Sequence, residues 1–284
     1  MTSASTTAAS PIPSATSALE QVIDTANRDR RGALVAYLPV GFPDFDTSVA
    51  AAIAVVKAGV DVIELGMPYS DPVMDGPVIQ AAAVQALEGG FRTEHVFEAI
   101  RQIRAEVDAP IVVMTYWNLV MQYGVDAFAR DLAAAGGNGL ITPDLVPDEG
   151  GEWIAASQAH ELDRVFLAAP SSSDARLDLV INSSSGFVYT VSTMGITGAR
   201  ADVDQAARSL ADRLHAHGCT RACVGLGIST AEQVREVLEY AEGAIVGSAL
   251  VKALASGGVP AVAEVAAQLA TGTALDAPSS KEQA

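Results

Sequence analysis

Two hydrophobic patterns alternate along the chain. Short apolar runs rich in β-branched residues begin near Ala33, Asp61, Ile111, Gly139, Arg164, Gly186, Arg221 and Ala244, and each reads as a buried strand. Between them apolar residues recur at three- and four-residue spacing, as in Val49, Ala52, Ile53 and Val56, the stripe of a helix that covers a sheet. Asp46 or Thr47 can cap that helix, and Thr93 and Ser229 open two others. Strands with no polar alternation are buried on both faces, which implies a parallel sheet wrapped by helices. Eight such units over roughly 250 residues fit a closed (β/α)8 TIM barrel, with a doubly wound open sheet as the alternative.

The spacing of the runs carries further information. Most strand starts lie about 22–28 residues apart, the length of one β–turn–α unit. The interval after the second strand is about twice that, and the one after the sixth is also long. The first excess holds an acid-bearing loop and an extra helix expected around Pro77–Leu87; the second holds Ser192-Thr-Met-Gly-Ile-Thr-Gly-Ala. Both follow the C-terminal end of a strand, the face where barrels place their chemistry. Residues 1–16 are Ser, Thr, Ala and Pro with few large apolar side chains, and are expected to form a disordered tail. Residues 17–270 then form the barrel domain, and residues 271–284 a second flexible tail.

Composition narrows the partners. The 284 residues include 17 Lys plus Arg against 34 Asp plus Glu, a net charge of −17, which argues against nucleic acid or an anionic membrane. No uncharged apolar run approaches the ~18 residues of a bilayer span. The first positive charge is Arg28, so neither a secretory n-region nor an Arg-rich transit peptide is expected, and the compartment indicated is the cytoplasm. Cys219 and Cys223 have no matching His or Cys cluster, and His215 and His217 point to different sides of a helix, so no metal site is expected.

The candidate chemistry gathers after the second strand. Glu64 interrupts the apolar run just before Gly66, where it should point into the barrel mouth, and Asp75 lies eleven residues on, in a loop able to fold back over it. Two carboxyls in different environments can divide acid/base work. The ordinary alternatives are a solvated strand-end acid and turn-forming aspartates at Asp71 and Asp75. Three glycine turns follow strands six, seven and eight: Gly195–Gly198, Gly225-Leu-Gly-Ile-Ser229 and Gly243–Ser248. The last two suit a phosphate held by backbone N–H groups and the Ser248 hydroxyl, although each alone is also an ordinary tight turn. Tyr37, Tyr116 and Tyr189 stand at strand ends on the same face. Core packing explains each singly, and a flat apolar ligand explains the three together.

Ile63-Glu-Leu-Gly-Met-Pro-Tyr-Ser-Asp-Pro-Val-Met-Asp-Gly-Pro-Val-Ile-Gln80 closely resembles the signature of the tryptophan synthase alpha chain family, as do Met194-Gly-Ile-Thr-Gly-Ala, Gly225-Leu-Gly-Ile-Ser and Gly247-Ser-Ala-Leu-Val-Lys. The resemblance spans residues 18–270 or so, in order. It implies a lyase that splits indole-3-glycerol phosphate into indole and glyceraldehyde 3-phosphate by a retro-aldol reaction. It implies Glu64 as the acid/base residue and Asp75 as the carboxylate on the indole N–H. Tyr116 and Tyr189 would then lie near substrate, joining Tyr37 of the aromatic wall. Thr197 would bind there as a loop residue that meets the second acid on closure, and Gly198, Gly227, Gly247 and Ser248 would cradle the phosphate. It further implies a beta chain partner in an α2β2 tetramer, met through Asp71, Pro72 and Asn118, with pyridoxal phosphate in the partner and no cofactor in this chain. Thr193, Phe42 and Pro39 depart from the family pattern, and bear on loop closure and partner contact. The competing readings are another phosphate-binding barrel, a non-catalytic activator of a partner, and a standalone indole-releasing lyase.

Overall fold

The computed structural model describes residues 16–191, 200–225 and 227–275. Its sheet contains nine parallel segments: β1 (Ala33–Pro39), β2 (Val62–Gly66), β3 (Ile111–Met114), β4 (Gly139–Ile141), β5 (Asp163–Val165), β6 (Leu167–Ala168), β7 (Val188–Val191), β8 (Ala222–Gly225) and β9 (Gly243–Val246). The order is β5-β4-β3-β2-β1-β9-β8-β7-β6. Its two ends are β5 and β6, which are halves of one strand broken only at Phe166. The first half pairs with β4 (Ile141 opposite Val165) and the second with β7 (Leu167 opposite Tyr189). The sheet therefore closes on itself, and the eight expected strands form a (β/α)8 barrel rather than an open sheet.

Alternation along the strands separates two cores. Leu34, Ala36, Leu38, Ile63, Leu65, Ile111 and Val113 face outward onto the helices. Ala33, Val35, Val62, Val112, Ile141, Val165, Phe187, Cys223 and Ile245 fill the barrel interior. Leu19, Ile23 and Ala26 join this inner cluster from the helix Ala18–Arg28, which precedes the first strand and stops the bottom of the barrel. That helix starts with a capping box between Ser17 and Glu20. It is latched by Arg221, whose guanidinium donates to Asp24 Oδ1 at 2.8 Å and Oδ2 at 2.7 Å, and to Glu20 Oε1 at 3.0 Å. The Arg221 hydrogen bonds hold the Asp24 carboxyl below its usual range.

Local details differ from the expectations in instructive ways. The helix Phe45–Lys57 is capped by Asp44, which accepts from Thr47 N–H at 2.8 Å, and not by Asp46 or Thr47. Asp46 falls within its first turn, where an acid still favours the dipole. The second tail does not begin at Thr271. Thr273 is buried, its carbonyl accepts from Gly32 N–H at 3.0 Å, and Leu275 N–H donates to Arg30 O at 3.0 Å, so the chain through residue 275 is part of the fold. The extra helix is present as Pro77–Glu88.

The helix Ser248–Ala270 is long and apolar enough to cross a membrane by length and composition. It is broken, however, at Gly258, whose φ of 64° interrupts the helix before Pro260. Leu250, Val251, Leu254, Val262, Ala266 and Leu269 are all buried in the outer core. This is a core helix.

Replacing Ile23 by Ala leaves a cavity between the stopper helix and the inner core. The expected loss is about 2–5 kcal/mol of unfolding free energy, read from urea denaturation. A change under about 0.5 kcal/mol would show that the helix does not seal the interior.

Candidate active site

The inward positions one layer above the sealed interior form the mouth. Two residues beyond Val35, Val62, Val112, Val165, Phe187, Cys223 and Ile245 stand Tyr37, Glu64, Met114, Leu167, Tyr189, Gly225 and Gly247. The tyrosines and glycines of this layer depend on each other. A Cβ on Gly66 would lie 2.2 Å from the Tyr37 hydroxyl oxygen, and one on Gly225 2.5 Å from that of Tyr189. A Cβ on Gly247 would stand 3.3 Å from Tyr37 Cδ1. The missing side chains give the two rings room to lie across the barrel.

Glu64 sits among these rings, paired in register with Tyr37 and 1% exposed. Among the described residues its Oε2 has no hydrogen-bond partner. Burial, and then the neighbouring Asp75, push its pKa up to about 8. Asp75 comes from the loop above and is less deeply covered; burial raises its pKa to about 6. The Tyr37 and Tyr189 hydroxyls, desolvated and facing both carboxyls, are held well above their ordinary range. At neutral pH a protonated Glu64 and an ionised Asp75 therefore share one apolar, aromatic chamber.

The Asp75 loop is held by Tyr116. Met74 N–H donates to the Tyr116 hydroxyl at 2.9 Å. Tyr69 stacks on Tyr116 with centroids 5.1 Å apart, and Asn118 Nδ2 donates to the Tyr69 hydroxyl at 3.3 Å. Within the loop, Pro72 O accepts from Asp75 N–H at 3.1 Å, and Gln80 Nε2 donates to Asp75 O at 2.9 Å. Asp71 points outward, exposed, with Ser70 Oγ donating to it at 2.6 Å.

Across the mouth, Gly247 precedes the helix that starts at Ser248, and no side chain caps its first N–H groups. Gly227 has a φ of 64° with nothing within 4 Å of a Cβ built on it, so its backbone faces open space. Uncapped N–H groups and a bare backbone suit an anion. Thr197 and Gly198, and the departure Thr193, lie outside the described residues. His215 and His217 bond to different acids, Glu242 and Asp178.

The structure thus brings Glu64, Asp75, Tyr37, Tyr116 and Tyr189 together and sets Gly227, Gly247 and Ser248 on the same face. Tyr69 was passed over in the sequence. It stood in the quoted motif without a role, and an aromatic directly ahead of the acid-bearing loop was the available signal.

The family model for the tryptophan synthase alpha chain matches residues 23–277. The chain belongs to the tryptophan synthase alpha chain family. A tryptophan synthase alpha chain of Leifsonia xyli is 64% identical over 257 residues, covering 89% of this chain and 98% of that one. One of Mycolicibacterium paratuberculosis is 52% identical over 256 residues, 90% and 94% of the two chains. Among solved structures, Mycobacterium tuberculosis tryptophan synthase superposes with a TM-score of 0.88 at 51% identity, covering 92% of this chain and all of that one. A tryptophan synthase complex from Pyrococcus furiosus gives 0.76 at 33% identity, over 84% and 98%. As a tryptophan synthase alpha chain, the protein is a carbon–carbon lyase that cleaves indole-3-glycerol phosphate to indole and glyceraldehyde 3-phosphate.

The raised Glu64 pKa has a stability consequence. The folded state binds this proton more tightly than the unfolded chain, whose pKa is near 4.5. The stability it contributes is therefore full below pH 4.5 and lost as pH rises through about 8. Glu64→Gln removes that loss, so relative to wild type it should gain in denaturation midpoint between pH 5 and pH 8.5. An identical difference at both pH values would mean that Glu64 titrates normally.

Proposed function

We propose that Glu64 and Asp75 carry the proton transfers of the retro-aldol cleavage in separate roles. The observation behind this is the buried Glu64 carboxyl with an unpartnered oxygen, facing a less buried Asp75 in the same chamber. Neutral Glu64 gives its proton to C3 of the indole ring. The ring nitrogen then carries positive charge, and ionised Asp75, accepting from its N–H, stabilises it. The Glu64 carboxylate left behind takes the proton of the side-chain hydroxyl. The C–C electron pair returns to the ring as the oxygen becomes the aldehyde carbonyl. Indole leaves with Glu64 reprotonated, so protons balance over the cycle.

The remaining residues bind. Tyr37 and Tyr189 flank the indole on an apolar floor, and Tyr116 holds the Asp75 loop. Gly227, Gly247 and Ser248 receive the phosphate, with Gly198 of the sixth loop expected to complete the cradle and Thr197 of the same loop to meet Asp75 on closure. With a net charge of −17 and no Lys or Arg within Gly225–Ser229 or Gly243–Ser248, backbone dipoles are the sensible anion anchor. This chain needs no cofactor of its own for these steps.

A beta chain fits the rim of the mouth. Val73 is 80% exposed and Met74 44%, with Met121 exposed on the helix Trp117–Tyr123 and Val146 exposed on the loop after β4. Asp71 and Asn118 add polar groups to this rim, beside Pro72. Such an apolar rim marks a protein contact. Indole would pass to that partner, which holds the pyridoxal phosphate, in an α2β2 assembly within the cytoplasm.

Glu64→Gln is expected to lower indole formation from indole-3-glycerol phosphate on the order of 10²–10⁴-fold or more, with Asp75→Asn comparably impaired. The kcat/KM profile should rise through about pH 6 as Asp75 ionises and fall through about pH 8 as Glu64 loses its proton. Adding the beta chain should raise turnover. Full activity in Glu64→Gln rules out the mechanism, and equal turnover with and without the beta chain rules out partner control.

A further inference from the structure

Asp75 reaches its place through a chain of contacts that ends on a residue outside the site so far described. The loop carrying Asp75 is secured by the segment 116–118, through the Tyr116 hydroxyl, the Tyr69–Tyr116 stack and the Asn118–Tyr69 hydrogen bond. That segment is itself the start of a short helix, Trp117–Tyr123, whose cap position is Tyr116. A tyrosine cannot accept from the first N–H groups as Ser or Asp would, and no side chain at the cap does so. The acceptor comes from another loop. Asp144, three residues beyond β4, takes the Trp117 N–H on Oδ1 at 2.9 Å and Oδ2 at 3.1 Å. Its own backbone is fixed by buried Leu145 beside it and by Thr142 N–H bonded to Val165 O.

We propose that Asp144 is a positioning residue for the lyase reaction, anchoring the Tyr116 clamp that sets Asp75 over the mouth. The reasoning rests on the catalytic reading of Asp75. A carboxylate here suits the task twice, since it satisfies an otherwise orphaned helix N–H and its charge favours the positive end of the helix. Asp144 itself is exposed at the rim and acts through Tyr116. Without it, the Trp117 N–H would turn to water and the first helical turn would loosen. The hydroxyl that receives Met74 N–H would move with it. Displacements of about 1 Å at a catalytic group cost up to about 10²-fold in rate, so a modest loosening is measurable.

The experiment measures indole formation with saturating beta chain for wild type, Asp144→Ala, Asp144→Asn, Tyr116→Phe, Asp144→Ala/Tyr116→Phe and Asp75→Asn. Asp144→Ala should lose about 10-fold or more in kcat with KM changed less than about threefold. Asp144→Asn, whose amide oxygen still accepts, should recover most of that loss. The double variant should be no worse than the poorer single variant, because both act through one contact. The acid limb of the Asp144→Ala pH profile should move to lower pH, as a loosened Asp75 becomes better solvated. Wild-type kcat in Asp144→Ala, or multiplicative losses in the double variant, overturns the positioning role. If Asp75→Asn is fully active, the assignment of Asp75 falls and the role of Asp144 with it. If Asp75→Asn is crippled and Asp144→Ala is not, only the latter falls.

Discussion

Closure of the sheet through the strand of residues 163–168 is the constraint on which the rest depends. Its first half bonds to β4 and its second half to β7, so no edge remains and every strand acquires an inner face. Tyr37 and Glu64 are register neighbours on adjacent strands, but only in a closed sheet does Tyr189, from a strand more than 120 residues further on, face the same interior. The stopper helix seals one end, and the site lies at the other. Desolvation of Glu64 follows from that geometry: its walls are strands and rings, with the Asp75 loop overhead.

The mouth is built by exchange of volume between residue types. Gly66, Gly225 and Gly247 give up side chains so that Tyr37 and Tyr189 can lie inward. The rings line the chamber and raise the cost of charge within it. Glu64 stays neutral in that setting, while Asp75, suspended from a loop with more access to water, ionises first. The same carboxyl chemistry thus yields an acid and a base by placement alone.

Much of this was legible in the sequence because it repeats. Eight apolar runs with helical stripes between them specify the barrel, and the two long intervals locate the loops over its mouth. The position of Glu64 before Gly66 follows from strand direction. What could not be read was anything set by side chains meeting across loops. Asp71 and Asp75 look alike in sequence, yet one faces solvent and the other the chamber, because Tyr116 holds the backbone between them. Two of the glycines read as phosphate turns, Gly225 and Gly247, also make room for aromatic rings, as Gly66 does, a role with no local pattern. Thr273 looked like tail because its neighbours are small and polar, but its backbone completes a pairing with Gly32, and backbone pairing leaves little mark on composition.

The pairing of residues 273–275 with Arg30–Gly32 places the last described residues beside the stopper helix, on the face opposite the mouth. The last described residues and the helix that opens the fold therefore lie together on the closed side of the barrel. Cutting the chain before Thr273 would strip the Gly32 N–H of its acceptor at the foot of β1, so a shortened chain would loosen at the closed end while the mouth kept its own contacts.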